Sequence, residues 1–585
     1  MARKEKRVAT IDAETDPFLY GRTPKPFCWG FYDGETYADF WGDDCTNQIV
    51  EYLSTEDNLI IYAHNGGKFD FFYLLRWFCE DVQIINGRIA RASLFDGKVE
   101  LRDSYLIYPL ALGNDDKLSI DYTKMERENR DLHKSEILRY LRQDCHALWD
   151  VVTNFRNEYG GGLTLAGAAF NQLKKSGYPA ESTSEHFDEK FRPFYKGGRV
   201  QCFDTGAFVG DYIYVDIHSA YPHAMMSNHW QGSSFRETLK IPDRENGSYF
   251  ARVYAVSKGA LPYIQDGKTY YPDDNEPRWY NASGWEIIAG LETNTLNILK
   301  VDRCYLPTFT ANFKAYVDRF FAMKAEADVM RDNAVYKSPE WFYWNRIRTF
   351  AKLMLNACYG KFGQDGRNFE AFKILEYGDV PEAYLKDGKP EQWEPYAEAS
   401  DFISVFSRPD PSYNFYNVAT ASSVTGFVRA HLWKNICSSK TPLYCDTDAI
   451  MCKEFGGPIS DELGDWGIEA KIKEAYIAQK KMYAILTDEF DKEGKPITKV
   501  ASKGVRLKYD QIKEGVLSGK NVEFTKESPA FSLKFGARYT KKEIDFKNID
   551  KNACNNPPDI DNGHAPRKKT GTKSVTHSLR DILCL

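Results

Sequence analysis

The chain has 585 residues, enough for roughly three to five domains. Its net charge of −6 excludes a generally basic nucleic-acid coat, though not a channel lined locally by Lys and Arg. An apolar share of 43% supports packed cores, and an aromatic share of 15% leaves many of the 37 Tyr and 37 Phe for surface stacking or contact.

The N-terminal "MARKEKRVATIDAETD" is basic, but no apolar stretch follows it, so no secretory leader is expected. No run of about 18 apolar residues exists to span a membrane. The 12 cysteines include no C-x-x-C pair. Free thiols in a reducing cytoplasm are the expectation. In the first strand, "RVATIDAE", the period of two puts Asp12 and Glu14 on one face. "LIIYAHNGGKFDFFYLL" reads as a buried strand entering a glycine-rich turn. Asn65 and Asp70 then lie at its carboxyl end, where α/β sites form. "SEILRYLRQDCHALWDVVTNF" is helical, with Ile137, Leu141, Leu148, Val151 and Phe155 on one stripe. Tyr140 and Asp144, four apart, face the same way beside it. Asp144 alone would equally suit a cap or a nearby arginine.

Four carboxylates (Asp12, Glu14, Asp70, Asp144) on three elements, with a tyrosine to orient water, are what two-metal phosphodiester hydrolysis requires.

Further along, "DYIYVDIHSAYPHAMM" reads as a strand ending at Asp216, a turn, and Pro222 at a helix start. "RIRTFAKLMLNACYGKFG" (346–363) reads as one unbroken helix closed by Gly360. Arg348, Lys352, Asn356 and Tyr359 form a polar stripe on it, suited to a triphosphate and a stacked base or to a solvated face. Residues 364–415 are rich in Gly, Pro and charge, as in "YLKDGKPEQWEPYAEASD", and read as an irregular insertion rather than core. "TPLYCDTDAIMCKE" (441–454) reads as paired strands that place Asp446 and Asp448 where water is scarce. Burial there calls for a cationic partner or a hydrogen-bonded turn. The tail "NPPDIDNGHAPRKKTGTKSVTHSLRD" reads as loosely ordered and basic enough to attract phosphate.

The first set of motifs resembles, in order, the three Exo motifs of the 3′–5′ proofreading exonuclease of family B DNA polymerases. "DIHSAY", "KLMLNACYG" and "YCDTDAI" resemble that family's motifs A, B and C, so six motifs fall in fixed order between residue 8 and about 510. "HNGGKFD" carries one residue more than the usual second Exo motif, and Ala449 stands where serine is usual. The resemblance implies an α/β multidomain fold, with an RNase H-like exonuclease domain and a right-hand polymerase of palm, fingers and thumb. It implies metal-associated carboxylates at Asp12, Glu14, Asp70 and Asp144. In the palm it implies Asp216 and Asp448 as ligands of two Mg2+ ions, Mn2+ being able to substitute. Ile217 falls in that metal site, and Asp446 beside it. Ser219, Tyr221, Arg348, Lys352, Asn356, Tyr359 and Gly360 would bind the nucleotide.

"FYKGGRV" (194–200), "QKKMYAIL" and the two long segments between motifs resemble the protein-primed branch of the family. That branch implies Lys117 as an aid to the exonuclease, although a solvated lysine fits as well. It implies single-strand ligands at Asn65, Phe69, Ser104, Tyr105 and Tyr122. Further DNA contacts would be Tyr195, Gly197, Gly198, Arg429, Lys481, Tyr483 and Lys503. Domains are expected as exonuclease (1–185), palm (186–225 and 416–504), fingers (328–363) and thumb with tail (505–585). The two terminal-protein regions would be 226–327 and 364–415. The implied partners are primer-template and single-stranded DNA, dNTPs and a terminal priming protein, with the polymerase acting as a monomer. Two rival readings are a family B polymerase that uses ordinary primers or primes unaided, and a DNA-binding repair nuclease with a vestigial palm.

Overall fold

A computed structural model describes residues 6–112, 120–243, 246–379, 381, 385–386, 389–390, 393–396, 403–410, 414–546 and 572–583. The fold is mixed α/β, built on two large sheets. In the first, Arg7–Thr15 pairs antiparallel with Pro26–Tyr32 and parallel with Leu59–Ala63, which is parallel to Val99–Asp103. Every residue of Leu59–Ala63 is buried, as an apolar run covered on both faces demands. Helix Lys134–Tyr159 lays the predicted stripe, Ile137 through Phe155, onto this sheet. Gly30 permits the approach: a β-carbon there would sit 2.9 Å from Cys145 Sγ. That close packing carries Asp144 to the first strand.

The second sheet has seven strands, in the order Pro496–Ser502, Met482–Phe490, Trp466–Gln479, Gly206–Ile217, Ala449–Glu454, Lys440–Asp446, Val200–Cys202. The 441–454 run is a hairpin, with Asp446 opposite Ala449 and Ala449 opposite Asp216 on the adjoining strand. Three carboxylates from two distant parts of the chain, Asp216 and the hairpin's Asp446 and Asp448, therefore share one sheet end. Helix Val418–Ser438, rich in Ala, Ser, Thr and Gly, packs beneath with little of it exposed.

Three expectations about organisation need correction. The fingers do not begin at 328: helix Lys314–Asn333 runs unbroken through that boundary and packs along Pro339–Ala357 as a hairpin. Residues 364–415 are not wholly irregular. Glu370–Glu376 and Ile403–Pro409 pair, and Glu370–Glu376 joins the exonuclease-side sheet through Asp81–Ile85. Phe372, Ile374, Ile403 and Val405 belong to that module's core. Their alternation was masked by the Pro- and Gly-rich stretch between them, much of which lies outside the described residues. The tail is not loose throughout, because Thr572–His577 pairs with Gly536–Ile544 and Leu579 is buried beside Phe531. The thumb sheet also docks on the first module, where the Tyr539 hydroxyl donates to the Arg22 carbonyl.

Residues 229–311 form a four-stranded sheet, in the order His229–Thr238, Leu296–Ala311, Phe250–Ser257, Arg278–Ser283. Helix Gly284–Glu292 starts from a capping box between Ser283 and Glu286.

Candidate active sites

The first site is built on Arg7–Thr15. Asp12 and Glu14 project from its one face, and Asp144 reaches them from the helix. Ligand oxygens of the three lie within 4.8 Å of one another. Asp70 begins a short 3-10 helix, Asp70–Trp77, and is only 2% exposed. The extra residue of "HNGGKFD" is absorbed by a preceding 3-10 turn, Gly66–Lys68. Gly67 is sterically required there, since a β-carbon would lie 2.0 Å from the Ile89 carbonyl oxygen. Asp70 ends against the backbone of Ala13, between Asp12 and Glu14. Burial, reinforced by the Asp103 carboxylate, raises its pKa to about 7. Its Oδ1 is buried without a hydrogen-bond partner. An orphaned carboxylate oxygen beside three converging carboxylates fits hard divalent cations. Burial and the nearby Asp144 and Glu14 push the Tyr140 hydroxyl above its usual range, so it stays a proton donor.

From Asp12 and Asp70 a cleft of about 860 Å³ runs to the thumb segment 528–535, with Lys526 and Lys534 on its walls. Phe69 stands in it between Phe18 and Phe531, at 5.5 and 5.3 Å. Asn65 has left-handed backbone, and its side-chain oxygen accepts from Arg88. Tyr105 is partly exposed beneath the Arg88 guanidinium, and Tyr122 is exposed. Ser104 behaves differently from the others: it is fully buried, donating to the Ala63 carbonyl and bonding His64 Nδ1. Lys117 lies outside the described residues. Sequence reading missed Arg88 and Asp103, which pair at 2.5 Å behind the cleft. No local pattern marks such a partner.

The second site lies at the hairpin. Thr447 takes left-handed backbone, and the Asp448 amide donates to the Asp446 carbonyl at 2.6 Å, making a tight turn. The Ile217 amide donates to the Asp448 carbonyl at 2.8 Å, locking motif A to motif C. Burial raises Asp216 to about 7, with Asp448 and Glu469 adding to the rise and Lys352 opposing it. Burial and Asp446 raise Asp448 to about 6. Two half-buried carboxylates, each raised by burial and by a neighbouring carboxylate, offer only oxygen donors and fit divalent cations. Asp446 already has its cation. Lys481 Nζ sits 2.8 and 3.0 Å from its two oxygens, and the Tyr444 hydroxyl donates at 3.1 Å. Glu469 is a carboxylate that sequence reading passed over.

The nucleotide-facing residues converge only in part. Tyr221 and Tyr359 stack at 4.2 Å with planes 7° apart. The Pro339–Ala357 helix stops before Tyr359, and Tyr359–Gly363 continues as a 3-10 turn, so Gly360 does not close an unbroken helix. Arg348 is held by Asp328 at 2.6 Å, while the Asn356 amide donates to the Lys352 carbonyl. Ser219 caps a helix of six residues, Ala220–Met225, in which Pro222 is third rather than first.

Among the expected DNA contacts, Gly198 packs on motif C. A β-carbon there would lie 2.6 Å from Thr447 Cγ2, so glycine serves the approach of two chain segments. Nothing crowds Gly197, and Tyr195 packs on Gly363. Arg429 requires a correction. It is 2% exposed, pairs with Glu286 at 2.8 Å, and donates to the Lys196 and Gly197 carbonyls. It clamps the "YKGG" segment from behind and has no surface to offer DNA. Tyr483 is also buried, its hydroxyl 3.2 Å from that of Tyr214. The Lys503 amide donates to the Lys481 carbonyl, so Lys503 flanks the pair at Asp446.

Residues 113–388 match the family described as DNA polymerase type B, organellar and viral. The chain is 36% identical over 573 residues to the DNA-directed DNA polymerase of Enterobacteria phage PRD1, covering 92% of this chain and 98% of that one. It is 23% identical to a DNA polymerase of Kluyveromyces lactis, across 86% of this chain and 59% of the relative. Phi29 DNA polymerase bound to primer-template DNA shares the fold, with TM-score 0.66 at 17% identity, over 93% of this chain and 100% of that one. A near full-length likeness to the phage enzyme, on this fold and these six motifs, places the chain in the protein-primed family B DNA polymerases of the organellar and viral type, as a DNA-directed DNA polymerase.

Proposed function

We propose that the chain copies linear genome ends, starting from a hydroxyl on a terminal protein, displacing strands as it goes, and proofreading its own 3′ ends. The observation that carries this reading is the pair of carboxylate sites, one at Asp12, Glu14, Asp70 and Asp144, the other at Asp216 and Asp448. Divalent cations bound there, Mg2+ or Mn2+, supply Lewis acidity and charge neutralisation at phosphate.

The protein's own groups do the rest. Lys352 neutralises the triphosphate of an incoming dNTP, joined by Arg348 when it leaves Asp328. Tyr359 and Tyr221 part to admit the base pair, and the Tyr221 ring then fills the space a 2′-hydroxyl would need. Lys481 pairs with both oxygens of Asp446 beside the primer end. In the other site, Tyr140 keeps its proton and orients water towards the scissile phosphodiester. The sheet at 229–311 and the fingers-side insertion offer surfaces for a priming protein and for closing around DNA. Among the described residues no helix is long and apolar enough to cross a membrane. By likeness to the phage enzyme, we assign this polymerase to the cytoplasm, that of a host cell if it is viral, acting as a monomer.

The test is incubation with labelled dNTPs, linear genome ends and candidate priming protein. Label attached to protein supports this reading. Label found only on extended DNA primers favours ordinary priming instead.

A further inference from the structure

Three adjoining strands of the 229–311 sheet turn a particular set of side chains outward. Along Phe250–Ser257, Ala251, Val253 and Ala255 are fully buried, which leaves Arg252 and Tyr254 on the other face. The pairing register then builds two rows across the sheet. One runs Arg303, Arg252, Asn281, and the next Lys300, Tyr254, Trp279. The first is cationic and amide in character, and the second ends in aromatic rings. Trp279 is 38% exposed, an unusual place for an indole that could have been packed. Tyr254 lies 5.3 Å from it, with the Arg252 guanidinium at 5.2 Å and Lys300 Nζ at 5.9 Å from its ring centre.

A cleft of about 360 Å³ opens beside these rows, lined by Trp279, Arg252, Arg303, Asn281 and Lys190 among others. One nucleotide fits such a volume. Asp302 is shared by both arginines, at 3.5 and 4.0 Å, so positive charge remains in excess. The cleft borders the chain segment that leads to the hairpin site. Pro193 and Phe194 line it, immediately before Tyr195–Gly198. The Asn281 carbonyl accepts from Lys196 Nζ at 2.6 Å.

We propose that this sheet face is a single-stranded DNA site, with an unstacked base on Trp279 and adjoining phosphates on Arg252 and Arg303. Aromatic faces accept any base, and cations beside them follow the backbone, so such a site holds a strand without reading its sequence. The ligand is the unpaired template that a DNA polymerase necessarily carries. The site goes beyond nucleotide addition and needs neither protein priming nor proofreading.

The experiment uses the full chain with primer-templates carrying a short or a long single-stranded overhang, substituted with 4-thiothymidine for photocross-linking. In the wild type, at least one position of the long overhang should cross-link within 250–257, 278–283 or 300–303. Trp279→Ala should weaken binding of the long-overhang substrate at least about fivefold, the lower end of what one stacked base contributes. Binding and extension of the short-overhang substrate should stay normal, which also shows the variant is folded. Trp279→Phe should restore most of the difference. Equal affinities for both substrates in wild type and Trp279→Ala, with no cross-link to these strands, would overturn the proposal. Loss of labelling on a priming protein, with overhang binding unchanged, would overturn it too and assign the face to a protein partner.

Discussion

The two carboxylate sites solve one electrostatic problem differently. In the hairpin site Asp446 pairs with Lys481, while burial and neighbouring carboxylates raise the proton affinity of Asp216 and Asp448. In the exonuclease-side site three carboxylates converge within 4.8 Å, and the fourth, Asp70, is fully buried with an oxygen unsatisfied. The clamps behind the sites differ in the same sense. Arg429–Glu286 is almost wholly buried behind "YKGG", whereas Arg88–Asp103 keeps its arginine partly exposed, at 14%. The hairpin site thus holds a lysine against one of its carboxylates, while the other site keeps one buried carboxylate oxygen, Asp70 Oδ1, without a hydrogen bond.

The largest expected effect separates the two sites. Asp446→Asn with Asp448→Asn should reduce nucleotide addition at least about a thousandfold, more than about 4 kcal/mol of transition-state stabilisation. Degradation of single-stranded DNA from its 3′ end should survive. Asp12→Ala with Asp70→Ala should do the reverse. Primer extension and 3′-end release, assayed on both double variants, check this; comparable losses of both activities in either variant would defeat the separation.

Next come the clamps. Arg429→Ala leaves Glu286 buried and unpaired, which should cost about 3–5 kcal/mol of stability. Arg88→Ala should cost less, because water already reaches its pair. Denaturant unfolding of the two variants ranks them, and a larger loss for Arg88→Ala would reverse the comparison.

Acid should affect the polymerase module most. His229 is buried between Ser423 Oγ and the Ala224 carbonyl, and His431 lies under Trp466; burial lowers both to about 4. Their folded values lie below the ordinary 6.5, so the unfolded chain takes up protons first as pH falls. Their contribution is complete above about pH 6.5 and is lost towards pH 4, worth about 3 kcal/mol each at most. His229→Asn should flatten the fall in stability across that window in a pH series of unfolding curves. An unchanged slope would show that other groups carry it.

A smaller effect concerns sugar choice. Tyr221→Val should raise rNTP insertion relative to dNTP by about tenfold, roughly 1.4 kcal/mol of lost discrimination. Competitive single-nucleotide insertion measures it, and unchanged selectivity in the folded variant would remove Tyr221 from this role.

The least disruptive change is to the 364–415 segment. Replacing only 378–402 with a short linker spares Phe372, Ile374, Ile403 and Val405, which the first module's core needs. Filling a small gap should be nearly normal, while product length on a long primed circle under competitor DNA should shrink. Equal product lengths would make the loop dispensable.

Sequence alone determined the carboxylates, their order, and the elements that bear them. Asp12 and Glu14 share a face because a strand has a period of two, and Ile137 through Phe155 form a stripe because a helix repeats every 3.6 residues. Both periods are local, so a single chain displays them. Tertiary structure decided what each charge faces. Arg429 and Glu286 are 143 positions apart, and Lys481 reaches Asp446 across 35. Arg429 belongs to a helix whose burial no short window reveals, and it became a clamp rather than a DNA contact. Ser104, expected to face DNA, was turned inward by its place behind Leu59–Ala63. The 364–415 strands looked irregular until the edge strand Asp81–Ile85 was there to pair with them. A residue's spacing sets the face it occupies. What lies opposite that face is set by packing, through steric fit and the cost of leaving a buried charge or backbone amide unpaired.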